Sequence, residues 1–376
     1  MKILLLGDAS NYHATLATAL KAKGHDVTLA SDRGKWLLTS CDIDLSRKSG
    51  RLSGALLYGR LLTTLAPKLK GYDVVQFVSP GFVSLKPGRL EELLRKLRRG
   101  NGSLYLTVLG YDTSVVTNLA GPKPAVAYSE WQIDGKAQPW RYTGEADYDM
   151  WTAPRLHEYN EVFYNTIDGA LTALYEYHVI TQAEHPGLRL GYAGIPVDMS
   201  SLPAPSLRPG IDGKIRMLYT CRRGRELEKG GNELYAMLKR ISAEFPDTTE
   251  LVAPENMPFS EFVRTLASAD IVSDQMYSYT PGTTALMAMA MGAVPLSGGE
   301  SEYYRFIGEP YDAVRPIFNP DPRDLEGTYR RLRSLVMHPA ELRRMSAAAP
   351  GFVARHNEAS VVADRFISFW EHGSFI

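Results

Sequence analysis

Lys2-Ile3-Leu4-Leu5-Leu6-Gly7-Asp8, a helical run of apolar residues from Tyr12 to Lys23 closed by Gly24, and then Asp26-Val27-Thr28-Leu29-Ala30 decide the fold. The first run is apolar without alternation, as in a strand buried on both faces of a parallel sheet. The spacing then turns helical, and Gly24 stands where a helix ends. Strand, helix and strand in this order open a doubly wound sheet. Further strands are expected at Asp73–Val78 and Ser103–Val108, with helices over Ser53–Leu69 and Gly88–Arg99 between them. Residues 118–150 break the pattern and read as an insertion carrying a small hairpin, with Asp134-Gly135 as its turn. A helix over Pro154–Asn165 and strands at Ala170–Leu174 and Arg189–Tyr192 close the first sheet.

Leu202-Pro203-Ala204-Pro205 to Pro209-Gly210 reads as a linker. The alternation then restarts. Strands are expected at Lys214–Thr220, Thr249–Ala253, Ile271–Ser273 and Ala293–Leu296, with helices at Gly231–Phe245, Ser260–Ser268 and Thr283–Met291. Helices at Asp321–Val336 and Ala340–Ala348 follow, and after a Pro350-Gly351 break a last one at Val353–Trp370. The expected architecture is α/β, with two facing Rossmann-like, doubly wound parallel-sheet domains. Residues 1–200 form the first, 201–350 the second, and 351–376 a helix packing back on the first.

Composition agrees with this and narrows the function. A chain of 376 residues favours two domains. Apolar residues are 44% and charged residues 22%, ordinary for a globular protein, which excludes disorder and collagen-like structure. Forty-two cations balance forty-two acids, against a protein that lives mainly on nucleic acid. The balance is a cancellation: residues 1–100 hold 17 cations and 8 acids, residues 101–200 hold 5 and 12. Two distant cysteines, Cys41 and Cys221, form no metal spacing and suit a reducing compartment. The opening apolar run is too short for a signal peptide, and no stretch reaches the length of a membrane span, so a cytoplasmic location is expected.

In such sheets ligands sit at the carboxyl ends of strands. The first loop, Gly7 to His13, lacks the glycines a dinucleotide needs, which disfavours a nicotinamide or flavin enzyme. Asn11 and His13 are candidates for contact with an acceptor; the plainer alternative makes Asn11 a helix N-cap and His13 a surface residue. After strand Lys214–Thr220, the cations Arg222, Arg223, Arg225 and Lys229 fall within eight residues ahead of a helix. Forked guanidiniums and an ammonium suit a diphosphate; a solvated loop neutralised by Glu226 and Glu228 is the alternative. Gly282-Thr283-Thr284 opens a helix whose first N–H groups form an anion site.

Taken in order, these features resemble a GT-B glycosyltransferase, close to family 4. Lys21-Ala22-Lys23-Gly24-His25-Asp26-Val27 is similar to that family's first helix and second strand, and Leu109-Gly110-Tyr111-Asp112 to its His-Gly-x-Asp strand end. Tyr192-Ala193-Gly194-Ile195-Pro196-Val197-Asp198 resembles the segment entering its linker. Arg222 or Arg223 with Lys229-Gly230 resembles its diphosphate-binding pair, and Ala269-Asp270-Ile271 and Met289-Ala290-Met291-Gly292-Ala293-Val294-Pro295 resemble two later motifs. The resemblance covers nearly the whole chain. It departs at the family's two glutamates, which have seven residues between them: Tyr279 and Met287 stand there, and Leu109 replaces the histidine. A methionine cannot accept ribose hydroxyls, and a tyrosine brings no carboxylate. Asp274, Glu300 and Glu302 are the nearby acids that could substitute.

The resemblance implies transfer of a sugar from a UDP- or GDP-sugar, with retention of configuration and without a metal or other cofactor. The diphosphate would meet Arg222, Arg223, Lys229 and the N–H groups at Gly282, Thr283 and Thr284, and the base would lie near Asn256, with Met287 at the ribose position. Asp112, Tyr279 and His13 are the implied catalytic candidates, and Asn11 and Tyr111 the acceptor contacts. The acceptor would be a glycan or lipid-linked. The basic, leucine-interleaved stretch Leu45–Gly71 fits peripheral contact with the inner face of a membrane; the plainer alternative is an ordinary solvated face on a helix covering the sheet. No nucleic-acid partner is expected. A catalytically silent relative that binds a glycan or partner, and a sugar-nucleotide epimerase of the same fold, are the competing readings.

Overall fold

The computed structural model describes residues 1–33, 40–139, 145–206, 213–220, 224–254, 257–310 and 312–372. They form an α/β protein of two units, each with its own parallel sheet. Arg222, Arg223 and Asn256 lie outside the described residues.

The first unit comprises Met1–Ala125, Glu145–Pro196 and Val362–Ile376. In chain order it runs β1 (Lys2–Leu6), α1 (Tyr12–Ala22), β2 (Asp26–Ser31), β3 (Ile43–Asp44), α2 (Arg51–Leu62), β4 (Val74–Phe77), α3 (Pro87–Gly100), β5 (Ser103–Val108) and α4 (Thr113–Leu119). A hairpin of β6 (Gln132–Ile133) and β7 (Lys136–Ala137) follows but belongs to the second unit. The first unit resumes with α5 (Glu145–Trp151), α6 (Pro154–Tyr164), β8 (Gly169–Thr172), α7 (Tyr175–Glu184) and β9 (Leu190–Tyr192). The sheet order is β3-β2-β1-β4-β5-β8-β9, parallel throughout. The order reverses between β1 and β4, so the switch point lies beside Gly7. At Gly7 φ is +84° and a Cβ would stand 2.4 Å from Val78 Cγ1, so only glycine fits this turn.

The second unit comprises Val126–Gly144 and Val197–Val361. It contains β10 (Ile215–Leu218), α8 (Glu226–Lys229), α9 (Gly231–Glu244), β11 (Thr249–Val252), α10 (Phe259–Ala267), β12 (Ile271–Ser273), α11 (Thr283–Ala290), β13 (Val294–Leu296), α12 (Ser301–Phe306), α13 (Leu325–Met337) and α14 (Pro339–His356). Its sheet order is β11-β10-β12-β13, again parallel, with the switch between β10 and β12. The last helix, α15 (Ala359–His372), clusters with the first unit from Val362 onward. Val362, Ala363, Phe366 and Phe369 are buried there against Ile3, Leu5 and Leu16.

Three sequence expectations need correcting. Within the stretch 118–150, read as an insertion in the first domain, the described residues 126–139 cluster with the second unit; the Asp134-Gly135 turn itself is present, with φ +47° and +77°. The helix expected over Ser53–Leu69 is α2 followed by a separate 3-10 turn, Ala66–Leu69, with Pro67 at its start. No break falls at Pro350-Gly351: α14 runs through both. An interior proline costs about 3 kcal/mol. Met345, Ala349, Phe352 and Val353 are all buried on that helix, and their burial outweighs the cost. Among the described residues no helix is long and apolar enough to cross a membrane.

Candidate functional site

The second unit gathers its polar groups at its switch point. Strand β12 runs into Asp274, whose side chain is 1% exposed. One carboxylate oxygen lies 3.3 Å from Lys229 Nζ. The other accepts from the Gly282 N–H at 3.1 Å and the Ser297 hydroxyl at 2.9 Å. Asp274 thus ties together the ends of β12 and β13, the entry to α11 and the lysine after β10. A buried carboxylate requires such company. Lys229 is fixed from its backbone too: its carbonyl accepts from Met276 N–H at 2.8 Å. The next residue, Gly230, has φ +65°, and a Cβ there would stand 2.7 Å from Met276 Cβ. The lysine side chain is still 31% exposed, so it remains accessible from solvent.

Gly282 is placed as expected at the N-cap of α11, but its N–H serves Asp274 instead of an incoming anion. The anion-binding capacity therefore shifts to Thr283, Thr284 and Ala285, whose N–H groups open the helix without intrahelical acceptors. Thr283 and Thr284 are half-buried. Met287 is half-buried and packs against the apolar cluster of Leu218, Val272 and Ala288.

Tyr279 is buried. Its hydroxyl accepts from Ala127 N–H at 2.9 Å, and its ring stacks on Tyr128 at 4.7 Å between centroids. Burial pushes the phenol up to about 12, so it stays neutral and brings no charge to the site. Tyr128 in turn donates to Glu300 at 2.7 Å; Asn319 donates to the same oxygen at 2.9 Å, and Glu300 N–H donates to the Tyr279 carbonyl at 3.3 Å. Glu300 is therefore the carboxylate held beside the tyrosine. The 126–144 segment supplies two members of this cluster, Ala127 and Tyr128. No local signal in the sequence ties those residues to Tyr279, more than 150 positions away, which is why the reading missed them.

In the first unit, His13 is fully buried, neither a surface residue nor open to an acceptor. Nδ1 lies 2.8 Å from the Gly7 carbonyl and Nε2 3.2 Å from the Thr107 hydroxyl. Gln76 Nε2 donates to that hydroxyl at 3.0 Å, and Trp370 Nε1 donates to Gln76 Oε1 at 3.0 Å. Assigning protons from the network gives one consistent direction. Trp370 donates to Gln76, Gln76 to Thr107, Thr107 to His13 Nε2, and His13 Nδ1 to Gly7. Burial lowers the ring to about 4, which keeps it neutral, as the chain of donors requires. His13 therefore fastens the last helix to the first loop.

Asp112 is likewise buried. It caps α4 by accepting from Val115 N–H at 2.9 Å and takes the Tyr164 hydroxyl at 2.7 Å. Burial raises its carboxyl above the usual range, partly offset by the Tyr164 and Val115 bonds. Tyr164 stacks on His185 at 3.7 Å, and His185 Nε2 lies 2.8 Å from the Ser114 hydroxyl. Tyr111 is half-buried beside Asp112 in sequence. Asn11 occupies the N-cap position of α1 with φ +63°, but its side chain donates to Thr15 at 3.3 Å. The capping carboxylate is Asp8, which accepts from His13 N–H at 2.9 Å. Ser10 and Asn11 both hold positive φ, +52° and +63°, a rare pair for residues with side chains.

Neither a protein-family profile nor a curated protein sequence matches the chain. Solved structures do. The chain is similar to sucrose-phosphate synthase from Thermosynechococcus elongatus, at 15% identity and a TM-score of 0.62, covering 98% of each chain. It is similar to HepE from Anabaena in complex with UDP and glucose, at 11% identity and a TM-score of 0.60, covering 99% of this chain and 100% of that one. It is also similar to a putative UDP-N-acetylglucosamine 2-epimerase from Listeria monocytogenes, at 14% identity and a TM-score of 0.56, covering 98% and 96%. At these identities the likeness establishes the GT-B-type fold alone.

Proposed function

We propose that the chain is a glycosyltransferase that takes a sugar from a nucleoside-diphosphate donor bound to its second unit. The observation that carries this reading is Lys229, clamped by buried Asp274 at a sheet switch point next to the N-terminus of α11. An ammonium and the N–H groups at Thr283 and Thr284 there suit the charge that a departing diphosphate develops. HepE, a structure of like fold, is described in complex with UDP and glucose, which favours a uridine donor over a guanosine one. Arg222 and Arg223 would complete the diphosphate contacts and Asn256 would lie by the base.

Retention and metal independence belong to the same proposal. So does a glycan or lipid-linked acceptor, met by the first unit near Asn11 and Tyr111. His13 and Asp112 act in this reading as positioning residues under the first loop and α4, and Glu300 supplies the carboxylate that Tyr279 lacks. The exposed leucines Leu52 and Leu56 on α2, flanked by Arg51 and Arg60, suit peripheral membrane contact of a cytoplasmic protein.

A silent, ligand-binding relative is the second reading. Tyr279, buried and neutral under Tyr128, favours it. An epimerase of this fold shares the donor site. Thermal denaturation with UDP, GDP, ADP and CDP tests the common premise: one diphosphate raises Tm in the wild type and not in Lys229→Ala. No shift with any of them sinks the donor site. Release of free sugar from the matching donor then separates the transferase from the silent binder, and appearance of an epimeric sugar nucleotide identifies the epimerase.

A further inference from the structure

The first unit contains a cavity of about 310 Å³ that the donor site does not use. Leu61, Leu62, Phe82, Leu93 and Leu97 line its walls and Leu6 closes one end; no acid lines it. Leu6 is the last residue of β1, and Phe82 lies in the loop that follows β4, beside the switch point. Lys70, Lys96 and Arg99 also line the cavity, and all three are exposed, so its mouth lies among them. Lys70 precedes β4 and Arg99 precedes β5, and Gly71 N–H donates to the Gly100 carbonyl at 2.9 Å. The mouth is therefore at the amino edge of the sheet, opposite the strand ends where a glycosyl acceptor would sit.

These dimensions define an occupant. The cavity reaches from Lys70 and Gly100 at the amino edge to Leu6 at the end of β1, a span of four to five strand residues or about 15 Å at the strand rise. Its volume over that length gives a section of about 20 Å², room for one alkyl chain and not two. At about 30 Å³ per methylene, close to a water's share of the liquid, it takes about ten carbons. Three cations at the mouth of an apolar tube complement an anionic head. Lys96 is within 3.7 Å of Glu92, an exposed pair too weak to neutralise the group. We propose that this cavity binds a free single-chain anionic amphiphile of the fatty-acid class, chain inward and carboxylate at Lys70, Lys96 and Arg99. The proposal does not rest on the donor site.

Titration calorimetry of the full chain with decanoate, kept below its micelle concentration, tests it. The expected result is one site in the wild type. Ala66→Phe fills the cavity from the 3-10 turn that lines it, and Leu62→Trp fills it from the half-buried rim. Each weakens decanoate at least tenfold with an unchanged circular dichroism spectrum. The combined Lys70→Gln, Lys96→Gln, Arg99→Gln variant weakens decanoate at least tenfold and leaves decanol binding unchanged. Wild-type affinity for decanoate in both folded filling variants overturns the proposal. Sedimentation with phosphatidylglycerol vesicles but no binding of decanoate overturns it in favour of a bilayer surface. The nucleotide-dependent Tm shift, read on the same variants, reports the donor site separately.

Discussion

Replacing His13 with glutamine should change how stability depends on pH more than it changes the fold. In the folded chain His13 titrates at about 4, against 6.5 for an unperturbed ring, because it is buried among groups that need it neutral. Below pH 6.5 the unfolded chain takes up a proton that the native chain refuses. The contribution of neutral His13 is complete above that pH and is lost as pH falls toward 4. Two and a half units correspond to about 3 kcal/mol across the window, at about 1.4 kcal/mol per pH unit. His13→Gln retains a donor and an acceptor for Gly7 and Thr107 but cannot titrate. Urea unfolding of both proteins between about pH 7 and about pH 4.5 isolates the effect, since every other group titrates in both. The wild type should lose about 2–3 kcal/mol more than the variant over that range. The variant is the less stable of the two at neutral pH, because an amide does not fit the ring's place, so the gap narrows as the solution is acidified. Parallel curves for the two proteins would refute the assignment of His13 as a buried, obligatorily neutral link.

Three further outcomes follow from single contacts. Trp370→Phe removes the donor to Gln76 and leaves a buried acceptor unpaired, which should cost about 1–3 kcal/mol in urea unfolding. Gly282→Ala places a Cβ 2.7 Å from an Asp274 oxygen, although φ at that residue suits alanine. It should displace the clamp on Lys229, lower stability by about 1–3 kcal/mol and diminish the nucleotide-dependent Tm shift. Tyr164→Phe removes the hydroxyl that stabilises ionised Asp112. Burial already raises that carboxyl, so the loss should be greater at alkaline than at acid pH, and equal losses at both would count against the bond.

Much of the fold is legible along the chain because the signals that make it are local. The apolar run Lys2–Leu6 is a buried parallel strand, and Ser103–Val108 and Ile271–Ser273 have the bounds that the pattern predicts. Gly24, with φ +85°, closes the first helix as its position suggests. Punctuation misleads where burial overrides it. Pro350-Gly351 reads as a break, yet the apolar face around it keeps α14 continuous. The site is less legible. Lys229 and the Gly282 turn are visible as a cation and a glycine at strand ends. That Asp274 joins them, and thereby consumes the Gly282 N–H, depends on three strand ends meeting.

By itself the sequence determined the two parallel sheets and the cationic and glycine-rich loops after β10 and β12. Those follow from periodicity and from backbone conformations that only certain residues adopt. Tertiary structure alone decided which polar residues face solvent. His13 and Asp112 carry the chemistry of catalytic groups, but packing encloses both and uses their hydrogen bonds to hold helices in place. Tyr279 is decided by a tyrosine from another part of the chain. Burial and partner choice are set by residues distant in sequence, and a side chain's protonation and accessibility follow from them.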